Sequence, residues 1–139
     1  MRCKLWRLLK YWTPPIIFAG LIYFLSSRSS LQVGPEIPHI DKLYHALIYF
    51  IFACLLWRAF YYASPHFFQQ RSIWFALFIT ILFGMSDEWH QFYVSCRCAD
   101  VFDLLFDSLG ASVAIIGINW WSSGQKTEEK DLDRGSCSI

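Results

Sequence analysis

Four long apolar runs with acids set at their edges constrain this chain more than any other feature. They are Pro14–Ser29, Lys42–Tyr62, Arg71–Met85 and Val101–Trp121. A helix rises about 1.5 Å per residue and a bilayer core is about 30 Å thick, so runs of this kind read as transmembrane helices. In lipid the backbone must satisfy its own hydrogen bonds, which a helix does within one segment. The expected fold is all-α: a four-transmembrane-helix bundle with short loops and a disordered polar C-terminal tail. Residues 1–121 form the membrane domain. Residues 122–139 (SSGQKTEEKDLDRGSCSI) form the tail, too polar to bury a core.

Thr13 then Pro14 reads as an N-cap with proline in the first turn. A helix over Pro14–Ser29 is only about 24 Å long, so residues 5–13 help it across. The competing reading is a signal peptide cut near Ser27–Ser29. It would place Pro14 and Pro15 inside its apolar segment, and the spanning helix is preferred. Gly34, Pro35 and Pro38 mark the first loop, and Ser64-Pro65 lies in the second, Ala63–Gln70.

Composition agrees with this reading and removes others. Only 17% of residues are charged, against about a quarter in soluble domains, and 55% are apolar. A net charge of +1 offers no basic surface for nucleic acid. Five cysteines, at 3, 54, 96, 98 and 137, form neither a disulfide framework nor a zinc motif.

Loop charge sets the orientation. With the N-terminus in the cytoplasm, Arg2, Lys4, Arg7, Lys10, Arg58, Arg71, Lys126, Lys130 and Arg134 lie inside, leaving Arg28, Lys42 and Arg97 outside. The positive-inside rule then places both termini in the cytoplasm. The outer side collects Glu36, Asp41, Asp87, Glu88, Asp100, Asp103 and Asp107.

These acids fall on stripes. At about 100° per residue, Asp100, Asp103, Asp107, Gly110, Ala111, Ala114 and Gly117 share one face of the last helix. Ala76, Thr80, Gly84, Asp87, Glu88 and Gln91 share a face of the third, with His90 at its flank. Asp41, Lys42, His45 and Tyr49 share a face of the second. A charge at mid-bilayer costs about 2.5–3.5 kcal/mol, so Asp103 and Asp107 must face partners rather than acyl chains. Packed with stripes inward, the helices enclose one polar pocket open to the outside. Arg97 is within sequence reach of it as a fork for carboxylate or phosphate. Gly84, Gly110, Ala114 and Gly117 are the small residues expected to bring helices close.

In this order the residues resemble the VanZ-like family of small membrane proteins. The match runs through Asp41-Lys42-x-x-His45-x-x-x-Tyr49, then Gly84-x-Ser86-Asp87-Glu88-x-x-Gln91, then Arg97, Asp103 and Gly110. It covers most of residues 20–117. The resemblance implies a four-helix bundle in a bacterial inner membrane, with a role in envelope physiology or in low-level resistance to teicoplanin-type glycopeptides. Asp107 departs from the family's usual Asn, and Cys96 and Cys98 flank Arg97 where small or polar residues are more usual.

Three functions fit. The first is a binding module for an envelope lipid, a lipid-linked cell-wall precursor or a glycopeptide. The second is a membrane-embedded enzyme acting on a lipid head group, with carboxylates and histidine in acid–base roles. The third is an ion-coupled transporter, disfavoured because Gly110–Ile118 is small and apolar. A divalent metal is not the preferred reading, since no His-Glu-x-x-His spacing occurs. The candidate ligands are His45, Glu88, His90 and Asp103, with Asp87 also of suitable type.

Overall fold

A computed structural model describes residues 2–27, 40–94 and 101–136, with side chains described over 4–27, 42–94 and 101–122. The elements are α1 (Arg2–Ser26), α2 (Ile40–Ala63), α3 (His66–Gln70), α4 (Ser72–Phe92) and α5 (Val101–Ser136). Lys4–Ser26, Lys42–Ala63, Ser72–Phe92 and Val101–Ser122 are each long and apolar enough to cross a membrane. Among the described residues every regular element is helical.

α2 is the hub. It packs on α1, α4 and α5, and α4 closes against α5. The beginnings of α2 and α5 lie with the ends of α1 and α4 at one end of the bundle, called here the Lys42 end. At the opposite end the Arg7 guanidinium donates to the Tyr62 carbonyl at 2.9 Å.

Polarity is arranged inside out. Large apolar side chains coat the exterior: Trp74 is 70% exposed, Ile116 67% and Ile17 66%. Ser72, Thr80, Asp87, Gln91 and Asp107 are buried. That distribution suits an acyl-chain surround, in which apolar atoms need no burial and polar groups must find one another. Between the polar positions lies an apolar core that includes Tyr49, Phe52, Leu56, Phe60, Ala76 and Ile115. Phe52 meets Phe83 with centroids 5.0 Å apart, and Trp12 meets Phe60 edge-on at 5.0 Å.

Three boundaries differ from the sequence reading. α1 begins at Arg2 and runs through Pro14 and Pro15, so Thr13 is no N-cap. Two prolines remove only the donors that would reach the carbonyls of Lys10 and Tyr11, and the helix continues on either side. Within the expected loop Ala63–Gln70, one turn of helix forms at α3, where Phe68 stacks on Phe60 and tilts against Phe75. α5 stays helical past Trp121 to Ser136, beyond the expected start of the tail; Gln125, Lys126, Glu128, Glu129, Lys130 and Leu132 are good helix formers.

Candidate functional site

α2 and α5 run parallel, and one close approach sets their register. A Cβ built on Gly110 would overlap the Ala46 carbonyl and lie 2.7 Å from its carbon. Only glycine lets the two backbones meet there. Below this point Ala53, Ala111 and Ala114 form a buried small-residue seam.

Two polar rungs lie toward the helix starts. At the rim Lys42 Nζ donates to Asp103 Oδ1 at 2.9 Å, both side chains being 14% exposed. One turn deeper His45 Nδ1 and Asp107 Oδ1 are 3.0 Å apart. Both atoms accept when deprotonated, so a proton sits between them. Asp107 is 1% exposed, about 6 Å further along α5 than Asp103. His45 Nε2 faces Asp103 Oδ2 at 3.9 Å, beyond hydrogen-bond length.

α4 supplies the third wall. Asp87, Glu88 and Gln91 are buried, and Gln91 Nε2 donates to Asp87 Oδ2 at 3.0 Å. Thr80 instead turns back on its own helix, donating to the Ala76 carbonyl at 2.7 Å. Gly84 brings α4 close to both partners: a Cβ there would stand 3.3 Å from Asp107 Oδ2 and 3.3 Å from the Tyr49 ring. Asp87, Asp107 and Glu88 lie around the Tyr49 hydroxyl. Among the described residues, Asp107 Oδ2 is buried with no hydrogen-bond partner. Within the same group, His45, Glu88 and Asp107 each offer a donor atom within 4.8 Å of the other two.

Of the residues singled out from sequence, Lys42, His45, Tyr49, Asp87, Glu88, Gln91, Asp103 and Asp107 therefore come to the Lys42 end of the bundle. The side chain of Asp41, together with Arg97, Asp100, Cys96 and Cys98, lies outside the described residues. Two expectations need correction. His90 does not join His45. Its ring stacks on Tyr23 of α1 with centroids 4.3 Å apart, and its Nε2 lies 3.0 Å from Ser27 Oγ. The Ser27 hydroxyl proton goes to the Tyr23 carbonyl at 2.7 Å, so the histidine N–H is the donor. His90 is two residues past Glu88, about 200° around the helix, and faces another neighbour. Gly117 is no packing glycine: it is exposed, and a Cβ there would meet nothing within 4 Å. Near that point a concavity of about 650 Å³ opens among α2, α3, α4 and α5, lined by Trp57, Tyr61, His66, Ile73, Ile118 and Asn119 among others.

Two features carried no sequence signal. Ala46 receives the Gly110 contact through its backbone, which any residue shares. Asp107 joins His45 and Glu88 in place of the expected His90 and Asp103, a grouping set by helix rotation and depth.

A family model described as VanZ/LLP1 matches residues 13–122 of the chain. No curated protein and no solved structure shows significant similarity to it.

Proposed function

The chain belongs to the VanZ/LLP1 family, and from that premise we propose that it binds the polar head of an envelope amphiphile at the Lys42 end of its bundle. The observation that carries this reading is the meeting of Lys42–Asp103, His45–Asp107 and the α4 acids Asp87 and Glu88 at one end of a membrane-length bundle. Carboxylates in excess over Lys42 and His45 favour a head group rich in amines and hydroxyls. A lipid-linked cell-wall precursor offers these on a membrane anchor, and a teicoplanin-type glycopeptide offers them from solution. Low-level glycopeptide resistance is the cellular role such binding would serve.

Loop charge supports an orientation in a bacterial inner membrane with both termini cytoplasmic and the polar site facing outward. Reporter fusions after Ser136 and within residues 31–38 check this, and activity of an exported reporter at the C-terminus would reverse it.

Binding is tested on purified full-length protein in detergent, titrated separately with a lipid-linked precursor and with teicoplanin. The combined variant Glu88→Gln, Arg97→Gln, Asp103→Asn should weaken binding more than tenfold. Undiminished affinity in that variant rules out this site.

The His45–Asp107 pair favours a second reading, an enzyme acting on a lipid head group. A buried carboxylate orienting an imidazole is an arrangement suited to proton transfer. Turnover of a cell-wall or phosphate lipid that disappears in His45→Ala would select it, and binding without turnover would select the first.

A further inference from the structure

We propose that His45, Glu88 and Asp107 hold a divalent first-row transition-metal cation. One donor atom from each lies within 4.8 Å of the others, and the three come from α2, α4 and α5. Bonds of about 2.0–2.2 Å to nitrogen and oxygen allow donors on one ion to stand up to about 4.4 Å apart. An inward shift of a few tenths of an ångström therefore completes the set. Two donors at right angles on such an ion are about 3.0 Å apart, which is the separation of His45 Nδ1 and Asp107 Oδ1, so an ion bound there takes the place of the proton they otherwise share.

Charge favours the same occupant. Two carboxylates and a neutral imidazole balance a dication. An imidazole among oxygens selects zinc- or manganese-like ions over magnesium or calcium.

A separate observation points to a ligand. Asp107 is 1% exposed, and its Oδ2, inside this cluster, has no hydrogen-bond partner among the described residues. A purely structural hydrogen-bond network would satisfy this oxygen internally. A cation supplies the partner it lacks. This inference does not depend on the head-group reading, because the ion can sit there whether or not an amphiphile binds.

The test uses full-length protein purified in detergent, stripped with chelator and titrated with Co²⁺. One ion per chain should bind, shown by visible ligand-field bands, and excess Zn²⁺ should displace it. His45→Ala and Glu88→Gln should each lower the affinity at least tenfold. His90→Ala, which alters a histidine turned toward α1, should not. Pulsed EPR of Cu²⁺-loaded wild-type protein should show imidazole nitrogen, a readout independent of whether any variant folds. A wild-type protein that takes up no stoichiometric Co²⁺, an EPR signal without imidazole, or affinity unchanged in His45→Ala and Glu88→Gln overturns the proposal. Amphiphile binding that survives chelation while Co²⁺ fails to bind would sink the ion and leave the head-group reading standing.

Discussion

Replacing Gly110 by alanine tests whether the α2–α5 approach organises the polar end. The added Cβ would lie 2.7 Å from the Ala46 carbonyl carbon and 2.9 Å from its Cα. Carbon atoms pack at about 3.5 Å or more. The helices must therefore separate by at least about 0.8 Å, because a backbone neighbour cannot rotate away. Overpacking of this kind costs roughly 1–3 kcal/mol. Alanine also gains about 0.8–1 kcal/mol of helix propensity over glycine. Gly117→Ala carries the same gain without the overlap, since nothing lies within 4 Å of its Cβ position. The difference between the two variants isolates packing. At a few degrees per kcal/mol for a chain of this size, Gly110→Ala should melt on the order of 3–12 °C below Gly117→Ala. Thermal unfolding of both in one detergent reads this. The same displacement would stretch the Lys42–Asp103 and His45–Asp107 contacts from 2.9 and 3.0 Å to beyond hydrogen-bond length. Gly110→Ala should then lose ligand or Co²⁺ affinity as well. A Gly110→Ala protein that melts at or above Gly117→Ala would show that the close approach does not exist.

Other perturbations separate the rungs. A double-mutant cycle of Lys42→Met and Asp103→Asn, followed by thermal unfolding, should give a coupling of about 1 kcal/mol; none would mean that water screens the rim pair. Asp107→Asn keeps a hydrogen-bonding partner for His45, whereas Asp107→Leu strands the imidazole. The leucine variant should therefore be less stable by about 1–3 kcal/mol, and equal melting curves would contradict a direct His45–Asp107 bond. Thr80→Val loses only a bond to the carbonyl of its own helix and should cost less than about 1 kcal/mol. A larger loss would reveal a partner across the bundle. His90→Ala removes the Tyr23 stack and should speed proteolysis near residues 24–27 without altering ion affinity.

The spans were legible because lipid imposes one rule on every segment, that the backbone be paired and the exterior apolar. Their ends were less so. Pro14 and Pro15 carry a strong start signal, yet a helix already under way tolerates them at the loss of two donors. The residues after Trp121 combine polarity, which argues for a tail, with good helix formers, which extend α5. Local preference and burial disagree there, and the sequence offers no rule for which prevails. The family match over residues 13–122 covers all four spans except the first nine residues of Lys4–Ser26 and therefore leaves both these questions open.

The site shows what periodicity can and cannot deliver. Spacing yields the angle of a residue around its own axis. It put Lys42, His45 and Tyr49 on one face, Asp103 and Asp107 on another, and Gly84, Asp87, Glu88 and Gln91 on a third; the structure brings these faces together. It says nothing of how far away the neighbouring surface lies. Gly110 and Gly117 are seven residues apart, within about 20° of the same angle. One touches the α2 backbone and the other meets open space. Angle also does not say which neighbour a flank will meet, and so His90 reaches Tyr23 and Ser27 on α1 rather than His45. Asp107 shows the converse. Its stripe announced a buried acid, but its pairing with His45 joins residues 62 positions apart and depends on the Gly110–Ala46 register. The chemistry of this end thus rests on a contact with no side chain of its own: glycine against backbone sets the distance at which lysine, histidine and the carboxylates can act together.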